Sequence, residues 1–192
     1  MEQREVWQAQ QPTLDYRRLY FLDETNANTT MTRLYGRALI GERVTYAVPY
    51  RHWESTTLLS VLNYQGAVAN VVYKGGTDIA VFEAFVACQL SKVLKPGDIL
   101  VMDNLATHKS PSVLGLFEKM NVRVALLPPY SPDFNPIENM FSKVKAYLKK
   151  VMQGSTKPLW KLIGEALNQI TPKDARNFFT HCGYNVLSTP KR

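Results

Sequence analysis

Three nearly continuous apolar runs mark the chain: LYFLDE from Leu19, DILVMDN from Asp98 and VRVALL from Val122. Short unalternating runs of this kind, bounded by turn residues, predict strands buried on both faces. Between the first two runs, TTLLSVLNYQGAVANVVY reads as a hairpin turning at Asn63 to Gly66, and VTYAV (Val44 to Val48) as a further short strand. The stretch from Thr25 to Gly41 is polar and turn-rich.

Elsewhere the period changes. Ile79, Phe82, Val86, Leu90 and Val93 recur at three- and four-residue steps, which predicts a helix capped by Thr77 and stopped by the KPG at Lys95 to Gly97. Ser110 and Pro111 open a second helix that turns Val113, Leu114 and Phe117 inward. The stretch LLPPYSPDFNPIEN, with four prolines, breaks the third strand. Asn135 and Pro136 then start a helix whose stripe is Ile137, Phe141, Val144, Leu148 and Val151. Two more helical stretches cover 158–169 and 172–179.

Strands first, then strands alternating with helices, imply an α/β architecture: a mixed sheet flanked by helices. The reading divides the chain into 1–18, a polar linker or entering helix; 19–152, the α/β domain; and 153–192, a C-terminal helical extension.

Composition narrows the class. The 192 residues are 45% hydrophobic and 20% charged, without a run long enough to span a membrane or serve as a signal peptide, so a cytoplasmic globular protein is expected. Cys88 and Cys182 stand far apart and share no metal-ligand spacing, so both are expected to be buried thiols. Trp7, Trp53 and Trp160 are expected to pack rather than stack on bases. A formal charge of +7 favours a polyanionic partner, because Lys and Arg that neutralise phosphates release counterions.

Candidate chemistry lies in three acids. Asp23 and Asp103 each end a buried run, and ligands of open α/β sheets sit beyond the carboxyl ends of the strands. Two carboxylates brought to one edge repel unless bridged by a cation, and oxygen ligands without nearby His or Cys favour Mg²⁺ or Mn²⁺. Glu138 follows Asp103 with 34 residues between, and Ser142, Lys145 and Lys149 continue along its side of the helix. Three acids suit two ions roughly 4 Å apart, one activating the attacking oxygen of a phosphodiester reaction and one stabilising the leaving oxygen.

Each acid has a plainer use. Asp is common in turns after strands. Asn135 to Glu138 has the spacing of a capping box, in which the Glu reaches back to the N-cap amide. Asp133 is an alternative third ligand. Asn104 and His108 could orient substrate, and Lys109, Lys143, Lys145, Lys149 and Lys150 could face DNA or merely solvent.

The blocks YFLDET, ILVMDNLATHKS and LLPPYSPDFNPIENMFSKVKAYLKK resemble the three catalytic blocks of DDE transposases of the Tc/mariner superfamily, in its bacterial insertion-sequence branch. ITPKDARNFFTHCGY is similar to that branch's C-terminal end, so the resemblance spans roughly Leu19 to Tyr184. It implies a ribonuclease H-like fold with Asp23, Asp103 and Glu138 as ligands of two Mg²⁺ or Mn²⁺ ions. It implies cleavage at transposon ends followed by strand transfer into target DNA, by a homodimer associated with the bacterial nucleoid. Helix-turn-helix modules of such proteins are missing from this stretch and would be supplied otherwise, for example by another reading frame. A nuclease or resolvase without strand transfer, and an inactive DNA-binding fragment, are the rival readings. Ile40 stands where the family pattern leads one to expect a basic residue.

Overall fold

The computed structural model describes residues 2–33, 35–45, 52–104, 110–152 and 155–186. Five strands form one sheet: β1 (Leu19–Asn28), β2 (Ser55–Asn63), β3 (Gly66–Tyr73), β4 (Ile99–Met102) and β5 (Arg123–Leu126). Their order is β3-β2-β1-β4-β5; β1, β2 and β3 run antiparallel to one another, while β4 and β5 lie parallel to β1. This mixed sheet, with helices on both faces, is the ribonuclease H-like arrangement.

The apolar runs become central strands because both of their faces are covered. Leu19 and Phe21 of β1, with Val101 of β4, join one cluster beneath α5 (Pro136–Val151), α6 (Leu159–Leu167) and α7 (Pro172–His181). The alternate residues Tyr20, Leu22, Leu100 and Met102 join a second cluster on the opposite face. That face is covered by α2 (Ile79–Phe85), a π-helical turn (Val86–Leu90), the short α3 (Ser91–Val93) and α4 (Pro111–Lys119). The face α5 presents to the sheet carries Ile137, Met140, Phe141, Val144 and Leu148, all buried. Each such side chain contributes roughly 1.5–3 kcal/mol.

Several expectations change in detail. The apolar run at Leu19 gives a strand that continues past Glu24 to Asn28, because β2 stays alongside it from Phe21↔Leu62 to Asn28↔Ser55. The helix expected to be capped by Thr77 is α2, and it is capped instead by Asp78, whose carboxylate accepts from Val81 N; Thr77 is bonded to Glu24 and Tyr73. Of the two alternatives for residues 1–18, a helix is what residues 2–10 form: α1 (Glu2–Gln10) buries Trp7, and Gln11 and Tyr16 are buried after it. Trp53 and Trp160 are mostly exposed and do not pack as expected. Cys88 is exposed rather than buried, while Cys182 is buried and its thiol is pushed up to about 11 by desolvation. Of the strand expected at 44–48, Val44 and Thr45 are irregular and the rest lies outside the described residues.

The C-terminal helices share the α5 cluster, Leu162, Ile163 and Phe179 being fully buried there. A polar fastening adds to it. Thr171 and Asp174 form a capping box at the start of α7, and Asp174 also pairs with Lys143 of α5 at 2.7 Å. The Lys143 ammonium, with the Thr171 bonds, holds the Asp174 carboxyl down to about 2 from its ordinary 3.8. A depressed carboxylate stabilises the fold above its unfolded pKa and loses that contribution as pH falls through the folded value. Asp174→Asn should therefore cost about 1–2 kcal/mol near neutrality, discounted for partial exposure. Urea midpoints of the two proteins should converge as pH falls from about 4 toward 2.

Candidate active site

The sheet brings Asp23 and Asp103 to one edge. Leu19 pairs with Ile99, Tyr20 with Leu100 and Phe21 with Val101, so each acid follows its strand's last residue in this pairing by two positions. Alternation then turns both toward the face that carries Phe21, Val101 and α5. Here β1 parts from β4 while remaining paired to β2, with Asp23 across from Ser60. Asp23 is thus within a strand, not at its end as the apolar run implied. Asp103 does follow the last residue of β4.

Glu138 arrives from α5. Leu127 N donates to Met102 O at 2.9 Å, carrying the β4–β5 pairing up to the Pro128–Pro129 break. The chain crosses the sheet edge through the 3₁₀ turn Pro132–Phe134 and enters α5 at Pro136. Asp23, Asp103, Asn104, Tyr130, Asn135 and Glu138 line one cleft of about 550 Å³. Among the described residues no three His, Cys, Asp or Glu side chains are already gathered closely enough to hold a metal ion, so the acids share a cleft without closing on one another.

The capping box expected at Asn135 is not made. Asn135 N donates to Pro132 O at 3.0 Å and Glu138 N to Asn135 O at 3.1 Å, so main-chain carbonyls take both amides the box would use. The Asn135 side chain caps nothing; its Nδ2 donates to Asp23 Oδ2 at 2.8 Å. Glu138, exposed in the first turn, is left facing the cleft.

Asp133 lies outside the cleft lining. Arg4 of α1 grips it through both Nη atoms at 2.8 and 3.0 Å, and the guanidinium holds its carboxyl below the usual range. Arg4 also donates to Ser131 Oγ at 2.7 Å and stacks on Phe134 at 4.6 Å. From the other side Tyr184 OH donates to Phe134 O at 2.8 Å. Burial pushes that phenol well above its ordinary value. Neither brace was legible: Arg4 and Asp133 are separated by 129 positions.

The lysines divide. Glu138, Ser142, Lys145 and Lys149 line a groove of about 350 Å³ that continues from the cleft along α5. Lys143 is turned to Asp174, and Lys150, about 120° around the helix from Glu138, does not join the groove. Asn104 is exposed and lines the acidic cleft. His108 and Lys109 lie outside the described residues.

Comparison with known proteins adds to this geometry. A family model described as DDE superfamily endonuclease matches residues 18–159. A comparison with curated proteins returns no match. The fold is similar to that of a pre-cleavage Mos1 transpososome, with TM-score 0.76 and 17% identity over 94% of this chain and 57% of that one. It is also similar to the catalytic domain of Mos1 mariner transposase (TM-score 0.66, 14% identity, 94% of this chain and 85% of that one). A Mos1 catalytic domain with Raltegravir and Mg gives TM-score 0.65 and 14% identity over 94% and 86% of the two chains. The chain thus spans little more than half of the protein in the first of these structures.

Proposed function

The chain belongs to the DDE superfamily endonucleases, and from that premise we propose that it is the catalytic domain of a Tc/mariner-type transposase, cutting transposon ends and joining them to target DNA. The observation that carries the reading is that Asp23 of β1, Asp103 just past the end of the neighbouring parallel strand β4, and Glu138 of α5 line one cleft. Among the described residues the lining offers oxygen donors and no His or Cys, a donor set that fits Mg²⁺ or Mn²⁺. Asp23, Asp103 and Glu138 would hold two such ions. Bound there, the pair would supply charge to the scissile phosphate and acidify the attacking hydroxyl.

The protein's own residues do the positioning. The groove beside Lys145 and Lys149 accommodates a phosphate backbone leading away from Glu138. Tyr130, fully exposed at the cleft mouth, offers a face on which a base can stack. Asn104 lies within reach of whatever phosphate enters. Holding the reacting oxygens in line contributes more to rate than any proton transfer by this lining. The reading extends to a homodimer, since two ends must be joined, working with helix-turn-helix modules on bacterial, nucleoid-associated DNA. No helix among the described residues is long and apolar enough to cross a membrane.

Strand joining separates this reading from that of a simple nuclease. Given a pre-cut donor end with a free 3′-hydroxyl, target plasmid and Mn²⁺, the protein should yield joined products resolvable on a denaturing gel. Hydrolysis of the same DNA with no joined product would favour the nuclease.

A further inference from the structure

We infer that Asn135 is a positioning residue for Asp23, holding that carboxylate in the orientation in which it can receive a divalent cation. The inference rests on the reading of Asp23 as a metal ligand.

Asn135 occupies the N-cap of a 16-residue helix, where an Asn side chain ordinarily accepts from an amide of the first turn. It does not do so here. Its side chain instead crosses to β1, a partner 112 positions away, and donates to Asp23 Oδ2 at 2.8 Å. The other oxygen, Asp23 Oδ1, accepts from Glu24 N at 2.7 Å. A bond to each of the two oxygens fixes the plane of the group.

The cost is visible. Asn135 is 4% exposed and its Oδ1 is buried without a partner. A buried unsatisfied carbonyl is unfavourable, and native structures keep few of them. Turning the amide over would not help, since it would set Oδ1 against a carboxylate oxygen, acceptor against acceptor. An Asp at this position would cap better and repel Asp23; a Ser would cap and fall short of it. Asn is the N-cap residue that can donate to a carboxylate at this distance. The surrounding turn keeps it in reach: Tyr184 fixes Phe134 O, and Arg4 fixes Ser131 and Asp133.

The test compares wild type, Asn135→Ala, Asn135→Ser and Asp23→Asn as purified chains. Mn²⁺ affinity is measured by electron paramagnetic resonance of the free ion, and Tm by thermal unfolding. Loss of a residue that orients a metal ligand costs about 10–100-fold in metal affinity. Both Asn135 variants should show that loss with Tm within about 2 °C of wild type, because removing the orphaned carbonyl offsets the lost bond. Unchanged Mn²⁺ affinity in both, with Tm lowered by about 2–4 °C in the Ala variant alone, would make Asn135 a helix cap and overturn the inference. If Asp23→Asn itself leaves Mn²⁺ affinity unchanged, the reading of Asp23 as a ligand falls, and the inference with it.

Discussion

Asp103→Asn should remove Mn²⁺-dependent nicking of supercoiled DNA while leaving the fold at least as stable as before. Asp103 follows the last residue of β4 and lines the same cleft as Asp23 and Glu138. The amide keeps the shape and gives up the charge that attracts a cation. Loss of a partner that merely orients a ligand costs 10–100-fold, so loss of the ligand itself should exceed about 100-fold. The same substitution removes a like charge next to Asp23, so Tm should stay level or rise. Nicking at wild-type rate in the variant would exclude Asp103 from the chemistry, whatever its place in the cleft. A loss of nicking accompanied by a collapse of Tm would show only that the fold had been damaged.

The largest effect on stability is expected at Phe179→Ala. Phe179 of α7 is fully buried, meets Phe21 of β1 edge to face at 5.2 Å and lies 5.8 Å from Tyr184. Truncating a buried Phe costs about 3–5 kcal/mol through lost transfer energy and the cavity left behind. For a chain of this size that is about 6–20 °C in Tm. Phe21 is two residues ahead of Asp23, so the cavity opens directly behind a site acid. Phe179→Leu, which refills most of the volume, should recover more than half of the lost stability in the same thermal scans. Equal loss from Leu and Ala would mean that ring geometry, not volume, carries the contact.

How much of this was legible in the sequence depends on the range of the interaction. The central strands could be read because burial on both faces writes itself as an unbroken apolar run, as at Leu19 to Leu22 and Ile99 to Met102. The start of α5 could be read because Pro136 fixes its backbone locally, and with it the turn that carries Glu138. The extent of β1 could not, since Thr25 to Asn28 are strand only by virtue of β2, more than 25 residues on. The helix at Asp78 shows a near miss of the same origin: Thr77 is an equally good cap, but Glu24 claims its hydroxyl. Asn135 is the plainest case. Its spacing to Glu138 satisfies a local rule that the chain obeys at Thr171 and Asp174, and a carboxylate on β1 overrides it.

The braces on Ser131 to Asn135 bear on how the site comes apart. Arg4 holds these five residues from α1, Tyr184 from beyond α7, and Asp23 from the middle of the sheet. A loop tied at one point can fray by itself, but this one can lift only if α1 and the last turn of the described chain let go together. Opening of the third acid's loop is then not a local fluctuation. It is coupled to release of α1 and of the Tyr184 bond.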